Sequence, residues 1–280
     1  MRTVGELLGV CARDGLTLGA AALRWQAGED GKSEDAVFAR MEARLRVMRE
    51  SAQAGLSATM RSVSGMVGGQ AAKMIAPGQS GRFGPLGKAC AYALSIAECN
   101  ACMGKIVATP TAGSCGILPG ALLAAQEDAG FSDAELVSAL FAAAAVGRVI
   151  ALQATISGAE GGCQAECGAA AGMAGAALTQ LYGGTPIQAC DACAFALMNM
   201  MGLVCDPVHG LVEVPCVYRN VGGVSQALAA AQMALCGISC PIPCDEVIHA
   251  MKEVGDALPP SLRETGDGGC AACRSVCAGR

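Results

Sequence analysis

Apolar residues recur at three- and four-residue steps along most of the chain, and no run alternates β-branched with polar residues as a half-buried strand would. Ala, Leu, Met and Glu dominate these stretches. The expected fold class is therefore all-α, a compact helical domain with Gly/Pro-rich loops between the helices. Over residues 34–53, Val37, Met41, Leu45 and Met48 share one helical face while charged residues fill the others, as on a surface helix. From Gly55 to Gly87 the sequence turns to Gly, Ser and Pro. We expect a loop-rich join, 55–87, between a helical N-terminal part, 1–54, and a helical core, 88–280, the whole forming one domain.

Ser132 to Glu135 and Thr185 to Gln188 fit capping boxes, the second with Pro186 at the first helical position. The stretch GAEGGC at 158–163 breaks one helix and launches the next. Cys163 is thus expected at or near a helix N-terminus, where a thiol loses its proton more readily. A last helix runs from near Pro243 to Pro259 and Pro260, followed by a Gly- and Cys-rich tail.

Composition narrows the classes. With 53% hydrophobic residues and a net charge of −5, the chain is neither a disordered segment nor a basic nucleic-acid module. Three long uncharged runs, Ile106–Gln126, Cys167–Cys190 and Val221–Cys244, are rich in Ala, Gly, Ser, Thr and Cys and read as buried helices, not membrane spans. The first residues, MRTVGE, carry no apolar signal region, so a cytoplasmic location is expected. In that compartment the 17 cysteines are not a disulfide framework, and most are small core residues.

The two histidines are too few for a His-rich zinc site. His249 lies on an amphipathic helix and reads as a surface residue. His209 sits in the loop-like stretch CDPVHGLVEVPC, where a functional role is equally open. The CxxC pairs Cys99/Cys102 and Cys190/Cys193 lie inside helical sequence, and Cys236, Cys240 and Cys244 read as a helix stripe ending in a Pro-interrupted turn. Cys163, Cys205 and Cys216 differ, each flanked by helix-breaking residues in GAEGGCQAE, VCDPV and VPCVYRN. If those loops converge, three thiolates could hold three corners of a cubane iron-sulfur cluster and leave one iron open.

The stretches ATPTAGSCGILPGAL, GAEGGCQAECGAAAGMAGAAL and GLVCDPVHGLVEVPCVYRN resemble the α chain of the iron-sulfur-dependent L-serine dehydratases. VMRESAQAGLS, SGMVGGQAAKM and PPSLRETGDGG extend that resemblance over nearly the whole chain. It implies a 4Fe-4S cluster on Cys163, Cys205 and Cys216, Gly/Pro-rich loops converging on it, and L-serine as substrate, deaminated to pyruvate and ammonia. By the same resemblance Thr109, Thr111, Ala112, Gly113 and Ser114 form the substrate-binding segment, whose hydroxyls and N–H groups suit a carboxylate. Elimination also needs a base for the α-proton, for which Glu160, Glu166 and His209 are the candidates near the motifs. Gln164 and Glu166 are placed to orient thiolates or the substrate amine, and Arg263 and Glu264 read equally well as a surface ion pair.

Two departures stand out. Relatives usually carry a small residue where this chain has His209, and two-chain relatives lack the tail cluster of Cys270, Cys273 and Cys277. Single-chain relatives place a C-terminal cysteine on the open iron, so one of these tail thiols is a candidate fourth ligand. The resemblance also implies a separate β subunit and an oligomer, with no nucleic-acid or membrane partner. Pyridoxal phosphate is not expected, because Lys32, Lys73, Lys88, Lys105 and Lys252 lie in no Schiff-base context. The alternatives are cluster-dependent elimination from another amino acid, such as cysteine desulfidation, and a non-catalytic structural or redox metal protein.

Overall fold

Thr3, Thr17, Ser33, Ser132 and Thr185 each turn a side-chain oxygen onto the first turn of the helix that follows, and these hydroxyls set five helix starts. Both expected capping boxes are closed in both directions, at Ser132/Glu135 and at Thr185/Gln188. The computed structural model describes residues 1–77, 79 and 82–277. In chain order the helices are α1 (Val4–Asp14), α2 (Leu18–Asp30), α3 (Glu34–Gly55), α4 (Ala71–Met74), α5 (Gly84–Ala101), α6 (Ile117–Ala129) and α7 (Asp133–Gln153). They continue as α8 (Gly158–Gly161), α9 (Ala169–Leu181), α10 (Pro186–Met200), α11 (Cys216–Leu235), α12 (Cys244–Ala257) and α13 (Arg274–Cys277). No β-strand occurs among the described residues, only an isolated bridge between Cys205 and Arg263.

The centre of the molecule is α9. Every residue from Ala169 to Thr179 is buried, and α6, α7, α10 and α11 pack around it. Its sequence, AAAGMAGAALTQL, explains that position: Ala and Gly on all faces let four neighbours approach closely, where larger side chains would hold them off. With 3% aromatic residues, the chain fills its interior by close approach of helices more than by large side chains. The N-terminal helices join the same core, α2 against α7 and α3 against α5 and α7, so one apolar cluster runs from Val4 to Met251.

Glycines mark the tightest crossings. A Cβ on Gly55 at the end of α3 would lie 1.8 Å from the Ser95 carbonyl oxygen of α5. The Ser95 hydroxyl bonds back to the Ala52 carbonyl at this crossing. On the other side of α5, a Cβ on Gly116 would lie 2.2 Å from the Ala93 oxygen.

The expected stripe of Cys236, Cys240 and Cys244 is not helical. Gly237, at φ 83°, ends α11 after Leu235, and Pro241 and Pro243 keep the connection open. Cys236 is therefore an exposed cap, Cys240 lies in the connection and Cys244 opens α12. Between 55 and 87 the chain is mostly irregular but includes α4, and α5 already begins at Gly84. His249 is exposed, its Nε2 3.5 Å from the Glu253 carboxylate. Among the described helices α7 alone is long and apolar enough to cross a membrane, and most of it is buried in this fold.

The α3/α5 crossing gives a direct test. Gly55→Ala is expected to destabilise the chain by about 1–3 kcal/mol, because the contact is with backbone that has no rotamer to yield. Gly9→Ala, at an exposed α1 position with open space around it, should stabilise by about 0.5–1 kcal/mol. Urea unfolding of the full-length variants measures both.

Candidate functional site

Cys163 follows Gly162, whose φ of 75° turns the chain out of α8, and precedes a π-helical turn, Gln164–Gly168, that runs into α9. Such a turn re-aims the side chains that precede a regular helix. Gln164, 1% exposed, locks it: its Oε1 accepts the Gly202 N–H at 2.9 Å and its Nε2 donates to the Met251 carbonyl at 2.9 Å. The Gln164 N–H donates to the Leu203 carbonyl, also at 2.9 Å. The turn is thereby tied to α12 and to the connection that carries Cys205.

Cys205 is held from the other side. Its N–H donates to the Leu262 carbonyl at 2.9 Å, and its carbonyl accepts the Glu264 N–H at 2.7 Å. Glu264 adopts φ 63°, which is uncommon for a residue with a side chain. Cys216 is the first residue of α11, after the cis Val214–Pro215 bond. All three cysteines are buried, and their thiols sense one another electrostatically.

Arg219, one turn along α11 from Cys216, reaches across the site. Its Nη1 lies 2.7 Å from Asp206 Oδ1 and donates to the Val204 carbonyl at 2.8 Å, and the guanidinium charge acts on the Cys163 thiol. The Cys163 pKa is lowered by a hydrogen bond with Cys167, whose Sγ is 3.4 Å away; burial opposes this and the Arg219 charge reinforces it. Burial pushes Cys216 up to about 12 and Cys205 up as well, and the neighbouring Cys163 adds to both. The three thiols are thus biased in opposite directions, Cys163 down and Cys205 and Cys216 up.

The segment 109–116 packs beside these thiols. Thr111 Oγ1 donates to Glu166 Oε1 at 2.7 Å and lies 3.2 Å from Ser114 Oγ. Thr109 is spent inside the segment, its hydroxyl donating to the Cys115 carbonyl at 3.2 Å. A Cβ on Gly113 would come 3.3 Å from Glu166 Oε1, and one on Gly158 would come 2.6 Å from Glu166 Oε2 and 3.0 Å from Cys205 Sγ. Backbone without side chains therefore lines the space around Glu166, whose Oε2 is 4.0 Å from Cys205 Sγ. Burial raises the Glu166 pKa above the usual carboxylate range, against the lowering effect of the Thr111 hydrogen bond.

Among the three base candidates only Glu166 touches this group. Glu160 is exposed and accepts from Thr155 Oγ1 at 2.5 Å, and His209 is exposed at φ 57° with Nε2 3.3 Å from the Val276 carbonyl of the tail. Of the tail thiols, Cys270 is seated next to the site, its N–H donating to Asp206 Oδ2 at 2.6 Å. Cys273 is exposed and turned toward the Gly269 carbonyl, and the Cys277 side chain lies outside the described residues. Arg263 donates to the Leu258 carbonyl at 2.9 Å and to that of Asp256, closing the end of α12 instead of pairing with Glu264.

Asn220 escaped the reading of the sequence. It is 1% exposed; its Oδ1 accepts the Gly116 N–H at 2.8 Å, and its Nδ2 donates to the carbonyls of Gly113 at 2.7 Å and Cys216 at 2.9 Å. One amide thus fixes the 109–116 segment to the helix turn that presents Cys216. The available signal was helical spacing: Arg219 and Asn220 stand three and four residues after Cys216, on its face of α11.

A family described as "Serine dehydratase alpha chain" matches residues 13–271. The chain is 47% identical to a probable L-serine dehydratase, alpha chain, of Bacillus subtilis, over 97% of this chain and 91% of that protein. It is 41% identical to the L-serine dehydratase, alpha chain, of Peptoniphilus asaccharolyticus, over 98% and 95% of the two chains. The L-serine dehydratase TdcG of Escherichia coli is 43% identical over 64% of this chain, which spans 40% of that longer protein.

Asn220→Ala removes the acceptor for a buried N–H and the donor for two carbonyls, and should cost about 1–3 kcal/mol of stability. Tyr218→Ala, at an exposed position on the same helix, should cost far less. Urea midpoints of the two variants, read side by side, make the comparison.

Proposed function

The chain belongs to the serine dehydratase α-chain family, and from that premise we propose that it deaminates L-serine to pyruvate and ammonia, at the site formed by Cys163, Cys205, Cys216, Glu166 and the 109–114 segment. What supports the reading is one buried carboxylate, Glu166, that accepts from Thr111 and lies 4.0 Å from Cys205 Sγ, with the buried thiols of Cys163 and Cys216 within electrostatic range.

The donor set suits a 4Fe-4S cluster. Among the described residues no three His, Cys, Asp or Glu side chains are gathered closely enough to hold a metal ion as they stand. Three thiols beside one arginine match a cluster that is soft, multinuclear and anionic. Cys163, Cys205 and Cys216 would hold it, and Cys270 is the tail thiol we favour as a displaceable fourth ligand. When bound, such a cluster with a free position supplies Lewis acidity toward a hydroxyl oxygen.

The chain's own residues supply the rest. Thr111, Ser114 and the N–H groups of 112–114 bind the substrate carboxylate, with Asn220 and Asn100 holding that segment through the Gly113 and Ala112 carbonyls. Glu166 takes the proton from Cα as the β C–O bond breaks, and returns that proton to the departing hydroxide to complete the water; its burial suits a carboxylate that must bind a proton. The resulting aminoacrylate tautomerises to an imine, which water hydrolyses to pyruvate and ammonia. We place the chain in the cytoplasm, working with a separate β subunit, as the α-chain names of its relatives suggest.

Anaerobic reconstitution tests this reading. The wild-type chain should take up iron and acid-labile sulfide in equal amounts, and Cys163→Ser should lose most of both. Glu166→Gln should keep the iron and sulfide while turnover of serine falls by about 10²–10⁴-fold, the usual worth of a positioned base. Zinc in place of iron and sulfide, or faster pyruvate formation from cysteine than from serine, would overturn the assignment.

A further inference from the structure

A second cavity, of about 310 Å³, opens between α2, α3 and α7 and shares no residue with the thiol site. We propose that it binds a small monocarboxylate with an apolar body. Trp25, Met41, Phe141 and Val149 give it an apolar lining, and Arg44 and Arg148 stand in its wall. Its volume falls in the lower part of the range of small-molecule sites, roughly 300–1,000 Å³.

The arginines select the ligand's charge. The neighbouring Arg40 is paired with Asp30 at 2.5 Å, and Arg24 lies 3.7 Å from Glu34. Arg44 and Arg148 have no carboxylate within ion-pair reach among the described residues. Arg44 donates to the Arg40 carbonyl at 2.9 Å, and the Arg148 guanidinium carbon stands 4.2 Å over the Trp25 ring. Each keeps N–H donors free for a bidentate acceptor. What sets Arg44 and Arg148 apart is their place in the wall of an apolar cavity.

The lining selects the body. A fully hydrated anion such as phosphate gains nothing from Trp25, Phe141 and Val149 and loses its water to enter. A carboxylate on a short aliphatic or aromatic stem places its charge at the arginines and its stem against the rings, satisfying both halves of the cavity. An apolar amine or alcohol satisfies only one.

Trp25 is the chain's single tryptophan, so intrinsic fluorescence reports on this cavity directly. The full chain would be titrated with octanoate, octanol, octylammonium and inorganic phosphate. Octanoate should shift the emission saturably; octanol should bind about tenfold more weakly, for want of a charge-assisted pair, and octylammonium and phosphate should leave the emission unchanged. Arg44→Gln, an exposed substitution, should weaken octanoate by about tenfold while leaving octanol unaffected. Ala145→Leu, which fills the cavity from α7, should weaken both ligands, with thermal unfolding confirming that the variant folds. A flat octanoate titration, equal binding of octanol or octylammonium, a phosphate response, or octanoate affinity unchanged in both variants would overturn the proposal.

Discussion

The thiol site depends on how closely α9 is approached by its neighbours. The π-helical turn that follows Cys163 runs straight into α9, and Cys216 opens α11, which packs along it. A Cβ on Gly223 of α11 would lie 2.4 Å from Ile117 Cδ1, and one on Gly172 of α9 would lie 3.0 Å from Cys193 Sγ. Larger residues at these crossings would separate the helix ends, and the loops carrying the thiols would separate with them. Small residues forgo some area burial per side chain, and the fold recovers it by bringing many backbones into contact.

Charge at the site is similarly constrained. Asp206, Glu166 and the thiols lie near Arg219, which pairs with Asp206, donates to the Val204 carbonyl and acts electrostatically on Cys163. An isolated anion buried in such a place is costly: burial raises the pKa values of Cys205 and Cys216, whereas the Cys270 N–H and Arg219 outweigh burial at Asp206 and lower its pKa. Because Asp206 also accepts the tail's N–H, the position of residues 269–270 and the charge balance around Cys163 are linked through one carboxylate.

Much of this was legible in the sequence, for reasons that differ by element. Capping boxes at Ser132 and Thr185 are local chemistry, complete within four residues, and both form. The three cysteines stood out because Gly and Pro beside them argue against a mid-helix role, and all three thiols are buried within electrostatic range of one another. The Cys236 to Cys244 stripe failed because four-residue spacing mimics a helix, while Gly237 and two prolines, which end it, act through backbone conformation. That Glu166 faces inward and Glu160 outward was beyond the sequence. The two are six positions apart, and only the π-turn between α8 and α9 sends one inward to Thr111 and leaves the other against Thr155 at the surface.

Two buried carboxylates outside the thiol site show how the irregular segment before α4 comes to be ordered. Glu98, 0% exposed on α5, accepts the N–H groups of Gly68, Gln70 and Ala71 at 2.9–3.0 Å. Glu213, 2% exposed, accepts from the Ser62 hydroxyl, the Ser64 hydroxyl and the Ser64 N–H. Burial raises the Glu213 pKa, but those bonds outweigh it and the net shift is downward, so the clasp is at full strength above the ordinary carboxylate range and weakens as acid protonates the folded state. Segments that lack a ladder of backbone bonds must find acceptors elsewhere, and an ionised carboxylate is the acceptor that can serve several N–H groups at once. Glu213 lies between Cys205 and Cys216 in the chain, so the same residue that orders the 62–64 turn also fixes the connection between two of the three thiols. Order in the irregular segment and order at the site are therefore one property, set by where two acids are buried.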